Sequence, residues 1–176
     1  MTTTMTTISM AAVVALAIIA IYTDVRWGKI FNSLTLPFAL LGLALNSIGA
    51  GWEGFALSIL GIAAGFALWI ASSFIGRILG GGDIKLLMAF GALMGPQFLL
   101  WSLLYGAIAG GVMAVIIALR KGVLQDTFKS LGTSLAMRAV AAAPMEIGDR
   151  AGEVRLPYAI ALGAGAFVTL AFQIPW

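Results

Sequence analysis

Residues 80–96 read Gly-Gly-Gly-Asp-Ile-Lys-Leu-Leu-Met-Ala-Phe-Gly-Ala-Leu-Met-Gly-Pro. Three glycines lead into a carboxylate, Asp83, and a short apolar run then carries the chain to a Gly-Pro break. Long apolar segments lie on both sides of this stretch, so the pattern is that of helices crossing a bilayer. An acidic side chain at the mouth of such a bundle is a candidate functional group. A second one, Asp24, stands at the end of the first apolar segment.

The composition supports this placement. The chain has 176 residues, 61% hydrophobic and 10% charged, with a mean hydropathy of +1.06. Soluble domains carry about 25% charged residues. The pI near 9.6 rests on ten basic residues, whose positions follow a membrane topology, and no nucleic-acid partner is expected. Histidine and cysteine are both absent. That excludes disulfides, thiolate nucleophiles, Ser-His pairs and every Cys- or His-ligated metal. The seven acidic residues are scattered, so neither a metal nor a cofactor is expected. Residues 1–7 carry no Lys or Arg, unlike the positive start of a secretory signal, and the first apolar segment is expected to be retained.

The expected fold class is all-α: a polytopic membrane protein with about six transmembrane helices, at roughly 20 apolar residues for a full crossing, in one domain over residues 1–176. The candidate spans cover residues 4–22, 34–48, 55–75, 84–94, 98–119 and 156–174. All ten basic residues fall in the connections 1–2, 3–4 and 5–6, or at their edges, and none falls in 2–3 or 4–5. The positive-inside rule then puts those three loops in the cytoplasm and the N-terminus outside. Asp24 and Asp83 therefore share the cytoplasmic face. Leu124, Phe128, Leu131 and Leu135 recur at helical spacing, which predicts an amphipathic connector helix in the cytoplasmic interface. Residues 144–153 read as a turn-rich loop. The pairs Gly61/Gly65, Gly91/Gly95 and Gly106/Gly110 have the spacing that lets helix backbones approach in lipid.

Asp83 has two readings. It is a candidate N-cap behind a glycine stop, and it is a candidate acid at a helix N-terminus with room for a peptide backbone over Gly80, Gly81 and Gly82. Asp24 alone reads as a solvated boundary residue beside Arg26. Taken together, the two form a candidate pair of carboxylates sharing one proton, able to take a proton from water and give one to a leaving amine. Lys85 reads as a snorkelling inside-facing cation, or as a residue that orients Asp83. A pairing of Lys85 with Ser72 or Ser73 has the residue types of a Ser-Lys nucleophile, but no spacing enforces it.

Residues 80–87 resemble the Gly-x-Gly-Asp-x-Lys signature of the type IV prepilin peptidases, continued by Gly91 to Gly95. Asp24, Arg26, Ile30 and Asn32 resemble that family's first motif, with Phe31 where proline is usual. Leu156-Pro157-Tyr158-Ala159 through Gly163 resembles the last-span motif, with Ala159 where glycine is common. The resemblance implies a bacterial inner-membrane aspartic endopeptidase with Asp24 and Asp83 as the catalytic pair. Gly80, Gly82 and Lys85 would be motif residues around substrate access. The substrate implied is a prepilin with a basic leader and an apolar helix, cut at the cytoplasmic face. The short connection after Asp24 resembles the peptidase-only branch of tight-adherence (Flp-type) pilus systems, without a methyltransferase insert. Two other readings stay open: a presenilin-type intramembrane protease, and a non-enzymatic carrier or assembly subunit whose aspartates are caps or ion ligands.

Overall fold

The computed structural model describes residues 3–75, 80–121 and 158–172. Among them every regular element is helical: α1 (Thr3–Trp27), α2 (Asn32–Ile75), α3 (Gly81–Met94), α4 (Pro96–Lys121) and α5 (Tyr158–Ala171). The expected connector helix over 120–155, the loop 144–153 and Arg77 lie outside the described residues, apart from Arg120 and Lys121 at the end of α4. Residues up to Gly110, together with those from Pro157 on, form one compact unit, and residues 111–121 belong to a second. Both candidate aspartates lie in the first unit.

α2 is two helical arms. Gly51 adopts φ 60°, ψ −134° and interrupts it, a conformation open to glycine. Sixteen residues of unbroken helix would separate positions 42 and 58 by about 24 Å. Instead the Ser58 hydroxyl lies 3.4 Å from the Gly42 carbonyl oxygen, and Asn46 Nδ2 donates to Ser58 Oγ at 2.7 Å. Arms 32–50 and 52–75 thus double back on each other, as the spans 34–48 and 55–75 require. Among the described residues three helices are long and apolar enough to cross a membrane: Thr4–Trp27, Asn32–Phe74, which is this hairpin, and Pro96–Ile117. The helical segments follow the positions of the six candidate spans, whereas α3 and α5, with 14 residues each, fall short of a full crossing.

α3 is the centre. Nine of its residues are buried, including Leu86, Leu87, Phe90 and Leu93, so its apolar character on all faces has a packing cause. One face lies against the hairpin at backbone distance. A Cβ on Gly61 would collide with the Gly91 carbonyl, one on Gly42 would come within 2.6 Å of the Ala92 carbonyl, and one on Gly65 within 2.6 Å of Met88. On the second arm of α2 the small residues Gly54, Ser58, Gly61 and Gly65 are buried along this face. α1 contributes a stripe of Ser9, Val13, Leu16 and Ala20, and α5 adds Leu162 and Ala166. Gly106 and Gly110 of α4 meet Ala161 and Leu162 of α5. The close-packing expectation therefore holds for Gly61, Gly65, Gly91, Gly106 and Gly110. Gly95 serves the chain differently. At φ 90° it ends α3, donates its N–H to the Gly91 carbonyl at 2.7 Å, and hands over to Pro96 at the start of α4, where a missing N–H costs nothing.

The last carbonyls of α3 have no intrahelical donors, and in hydrocarbon an unpaired carbonyl is expensive. Asn46 Nδ2 donates to the carbonyls of Ala92 (3.0 Å) and Leu93 (3.3 Å). Ser58 Oγ donates to Ala92 O at 2.7 Å. Outside this core the molecule is inverted relative to a soluble protein. Ile48, Trp52, Trp69, Phe74 and Ile108 are exposed, an arrangement suited to hydrocarbon rather than water.

Replacing Gly61 by Ala should lower the unfolding midpoint in detergent, at the about 1–3 kcal/mol typical of overpacking against rigid backbone. Gly81→Ala, where an added Cβ meets nothing within 4 Å, should leave the midpoint unchanged. Equal effects would show that the backbone contact is not what holds α3.

Candidate functional site

The last turn of α1 carries Asp24. The helix ends at Gly28, φ 63°, whose N–H returns to the Asp24 carbonyl at 2.7 Å. The chain then crosses residues 28–31 to the start of α2. The Asp24 carboxylate is half-buried, and its Oδ2 accepts the backbone N–H of Ala159 at 3.1 Å. That N–H is one of the unpaired donors of the first turn of α5, so a helix N-terminus from the far end of the sequence holds Asp24 in place. Arg26, beside Asp24 in the sequence, is exposed, and among the described residues no ion pair to either aspartate forms.

Asp83 sits in the first turn of α3, and the N-cap is Gly80, not Asp83. The Ile84 N–H bonds to the Gly80 carbonyl at 3.2 Å, which starts the helix three residues earlier than a cap at Asp83 would. As the third helical residue, Asp83 reaches back with its carboxylate to the backbone of Gly80. It folds back over Gly80, where an added Cβ would lie 2.9 Å from Asp83 Oδ2. Gly80 leaves the room that this side chain needs.

Asp24 and Asp83 line one cavity of about 470 Å³, together with residues 28–32 and Gly80, Gly81 and Gly82. The two sequence motifs, remote along the chain, thus meet at one opening. Asp83 precedes the apolar segment 84–94 and lies outside the three long apolar helices. Its pKa is raised from 3.8 to about 6, first by burial and then by the charge of Asp24, while a backbone hydrogen bond at Gly80 acts in the opposite direction. A carboxyl that keeps its proton near pH 6 beside a second carboxylate has the make-up of an acid–base pair.

Lys85 does not turn toward Asp83. Its Nζ donates to Asn32 Oδ1 at 2.7 Å, which ties α3 to the first residue of α2. The alternative pairing with Ser73 is not made either, since Ser73 Oγ donates to the Trp69 carbonyl at 2.9 Å. Gly82 packs on Ile30, with an added Cβ 3.2 Å from the Ile30 Cβ, so it brings α3 close to the loop after Asp24. Among the described residues no three Asp, Glu, His or Cys side chains gather to hold a metal. Two participants have no role that sequence alone assigns. Asn32 is visible as a motif member, but its partner is not. The Ala159 N–H is a backbone group, and only the nearby Pro157, a common helix-start signal, points to it.

Because the folded protein holds the Asp83 proton more tightly than the unfolded chain, raising the pH from about 4 to about 6 should weaken the fold through this group, with no further change above. Asp83→Asn removes that penalty. The midpoint of the variant should rise relative to the unsubstituted chain across this window and stay offset above it, as measured by thermal unfolding in detergent. A pH-independent difference would exclude the raised pKa.

Comparison with known proteins gives the same picture. The profile of the Type IV leader peptidase family matches residues 11–115, a stretch that contains both Asp24 and Asp83. The prepilin leader peptidase/N-methyltransferases of Burkholderia pseudomallei strains 1026b and K96243 are 32% identical over 99 residues, 53% of this chain and 32% of theirs. The Neisseria gonorrhoeae protein of the same name is 32% identical over 97 residues, 52% of this chain and 34% of its own. The aligned region is thus about a third of the length of these curated relatives. No solved structure matches the chain. With the profile covering more than half of the chain, and both acidic motifs inside it, the chain belongs to the Type IV leader peptidase family.

Proposed function

We propose that this chain is a membrane-embedded aspartic endopeptidase that removes the leader of type IV, Flp-like prepilins at the cytoplasmic face of the bacterial inner membrane. The observation that carries the proposal is the shared cavity: Asp24 and Asp83 line it together, and Asp83 holds a proton up to about pH 6. The names of the relatives supply the substrate class. The placement of the basic residues supplies the orientation, with six crossings and the N-terminus outside. Residues 28–31 alone join α1 to α2, and the chain has no cysteine. The activity proposed is therefore the peptidase, without a methyltransferase insert at that position.

In the proposed reaction Asp24 takes a proton from a water molecule as its oxygen adds to the scissile carbonyl carbon. Asp83 gives its proton to the carbonyl oxygen. Collapse of the tetrahedral intermediate breaks the C–N bond. The proton on Asp24 passes to the leaving amine, and Asp83 recovers its own from the hydroxyl as the carboxyl product forms. The Ala159 N–H keeps Asp24 oriented through the cycle. The three glycines before Asp83 leave space for an extended substrate backbone. Lys85 and Asn32 hold the two acidic elements together at the rim.

Asp24→Asn and Asp83→Asn should each lower leader cleavage by at least about a hundredfold, the scale of general acid–base catalysis, with membrane insertion unchanged. Cleavage is read as a mobility shift of a co-expressed prepilin, and full activity in either variant ends the proposal. Gly80→Ala pushes on the far end of a flexible side chain. It should therefore leave the unfolding midpoint nearly unchanged while lowering kcat about tenfold through the displaced carboxylate. A variant with wild-type kcat would show that the position of Asp83 over Gly80 is unimportant.

A further inference from the structure

A second cavity, of about 420 Å³, lies between the two arms of α2 and α3. Leu36, Leu40 and Leu43 form one of its walls at helical spacing, and Ile62 and Met88 the others. Polar side chains enter the lining at one end, where Asn32 and Lys85 stand. Asn32 also lines the cavity that holds the two aspartates. The two cavities therefore share a wall at Asn32, whose Oδ1 accepts the 2.7 Å hydrogen bond from Lys85 Nζ. From position 32 to position 43 the first arm rises about 16 Å. The groove thus starts at the level of the carboxylates and runs along the apolar part of the hairpin. A volume of this size is in the range of sites that take an organic ligand or a row of side chains.

We propose that this groove seats the first turns of the apolar segment that follows the scissile bond of the substrate. The inference rests on the prepilin peptidase function proposed above. Its occupant follows from continuity: a chain with its scissile bond between Asp24 and Asp83 and an apolar helix on the exit side has, at Asn32, an apolar trough beginning where the polar cavity ends. The Lys85–Asn32 pair marks the threshold. On the aspartate side the substrate is extended, with its backbone groups in a polar space. On the groove side it is helical, as unpaired backbone in hydrocarbon requires. The groove makes Leu40 and Ile62 residues that select for an apolar helix after the cut, rather than residues that act on the bond.

The test places a photoreactive amino acid at position 40 or 62, and at position 104 or 108 on α4 as controls, in the full chain co-expressed with a prepilin. Adducts from 40 and 62 to the apolar segment of the prepilin, absent from 104 and 108, are the expected result. Adducts to lipid alone, or equal yields from all four positions, overturn the proposal. In parallel, Leu40→Trp narrows the groove. It should raise KM for the whole prepilin about tenfold with kcat held. It should leave unchanged the cleavage of a leader peptide that ends shortly after the scissile bond. Equal effects on both substrates, or none on either, overturn the groove assignment while leaving the peptidase function standing. An unsubstituted chain that cleaves neither substrate removes the function, and the groove assignment with it.

Discussion

The backbone contact between Gly61 and Gly91 is the constraint on which the other helices depend. In lipid no hydrophobic force pulls one apolar helix onto another, so association rests on close packing and on hydrogen bonds that lipid does not offer. The hairpin provides both. A line of small residues lets α3 approach to backbone distance, and Asn46 and Ser58 satisfy the carbonyls at its far end. α3 is thereby fixed at its tail and along its middle. Its first turn, with Asp83, inherits that position. α1 and α5 then pack on its other side through Leu16, Leu162 and Ala166.

The candidate site is assembled from two helix beginnings. Asp83 belongs to the first turn of α3, and Asp24, from the end of α1, is held by the first turn of α5. Helix N-termini carry partial positive charge, which opposes the mutual repulsion of the two acids. That opposition is incomplete for Asp83, because burial outweighs it. One acid is thus left with its proton at a pH where an exposed carboxyl would have none. The asymmetry comes from surroundings alone, since the two side chains are chemically the same.

Much of this was legible in the sequence, and the rest failed for identifiable reasons. Asp24 and Asp83 stand out because charge is rare in so apolar a chain, and their common face follows from where the basic residues fall. The helix before Gly95-Pro96 and the glycine pairs were readable from spacing. The N-cap of α3 was not: Gly80, Gly81 and Gly82 are equivalent as text, and nothing in the local pattern marks Gly80 as the residue that starts the helix. The partner of Lys85 was invisible because Asn32 lies 53 positions away. Asn46 passed as one polar residue in an apolar run, although it closes α3. The Ala159 contact uses a backbone donor, which side-chain pattern cannot reveal. The shortness of the segment 84–94 was legible as well, and α3 has 14 residues.

That shortness has a consequence for chemistry. Fourteen residues of α-helix rise about 21 Å, against about 30 Å of hydrocarbon in an ordinary bilayer. Enclosed by the longer α1 and by the hairpin, a helix this short leaves a recess over its first turn, the cavity that Asp24 and Asp83 line. Water for a hydrolysis can be held in that recess, beside both acids, without a passage through the packed core.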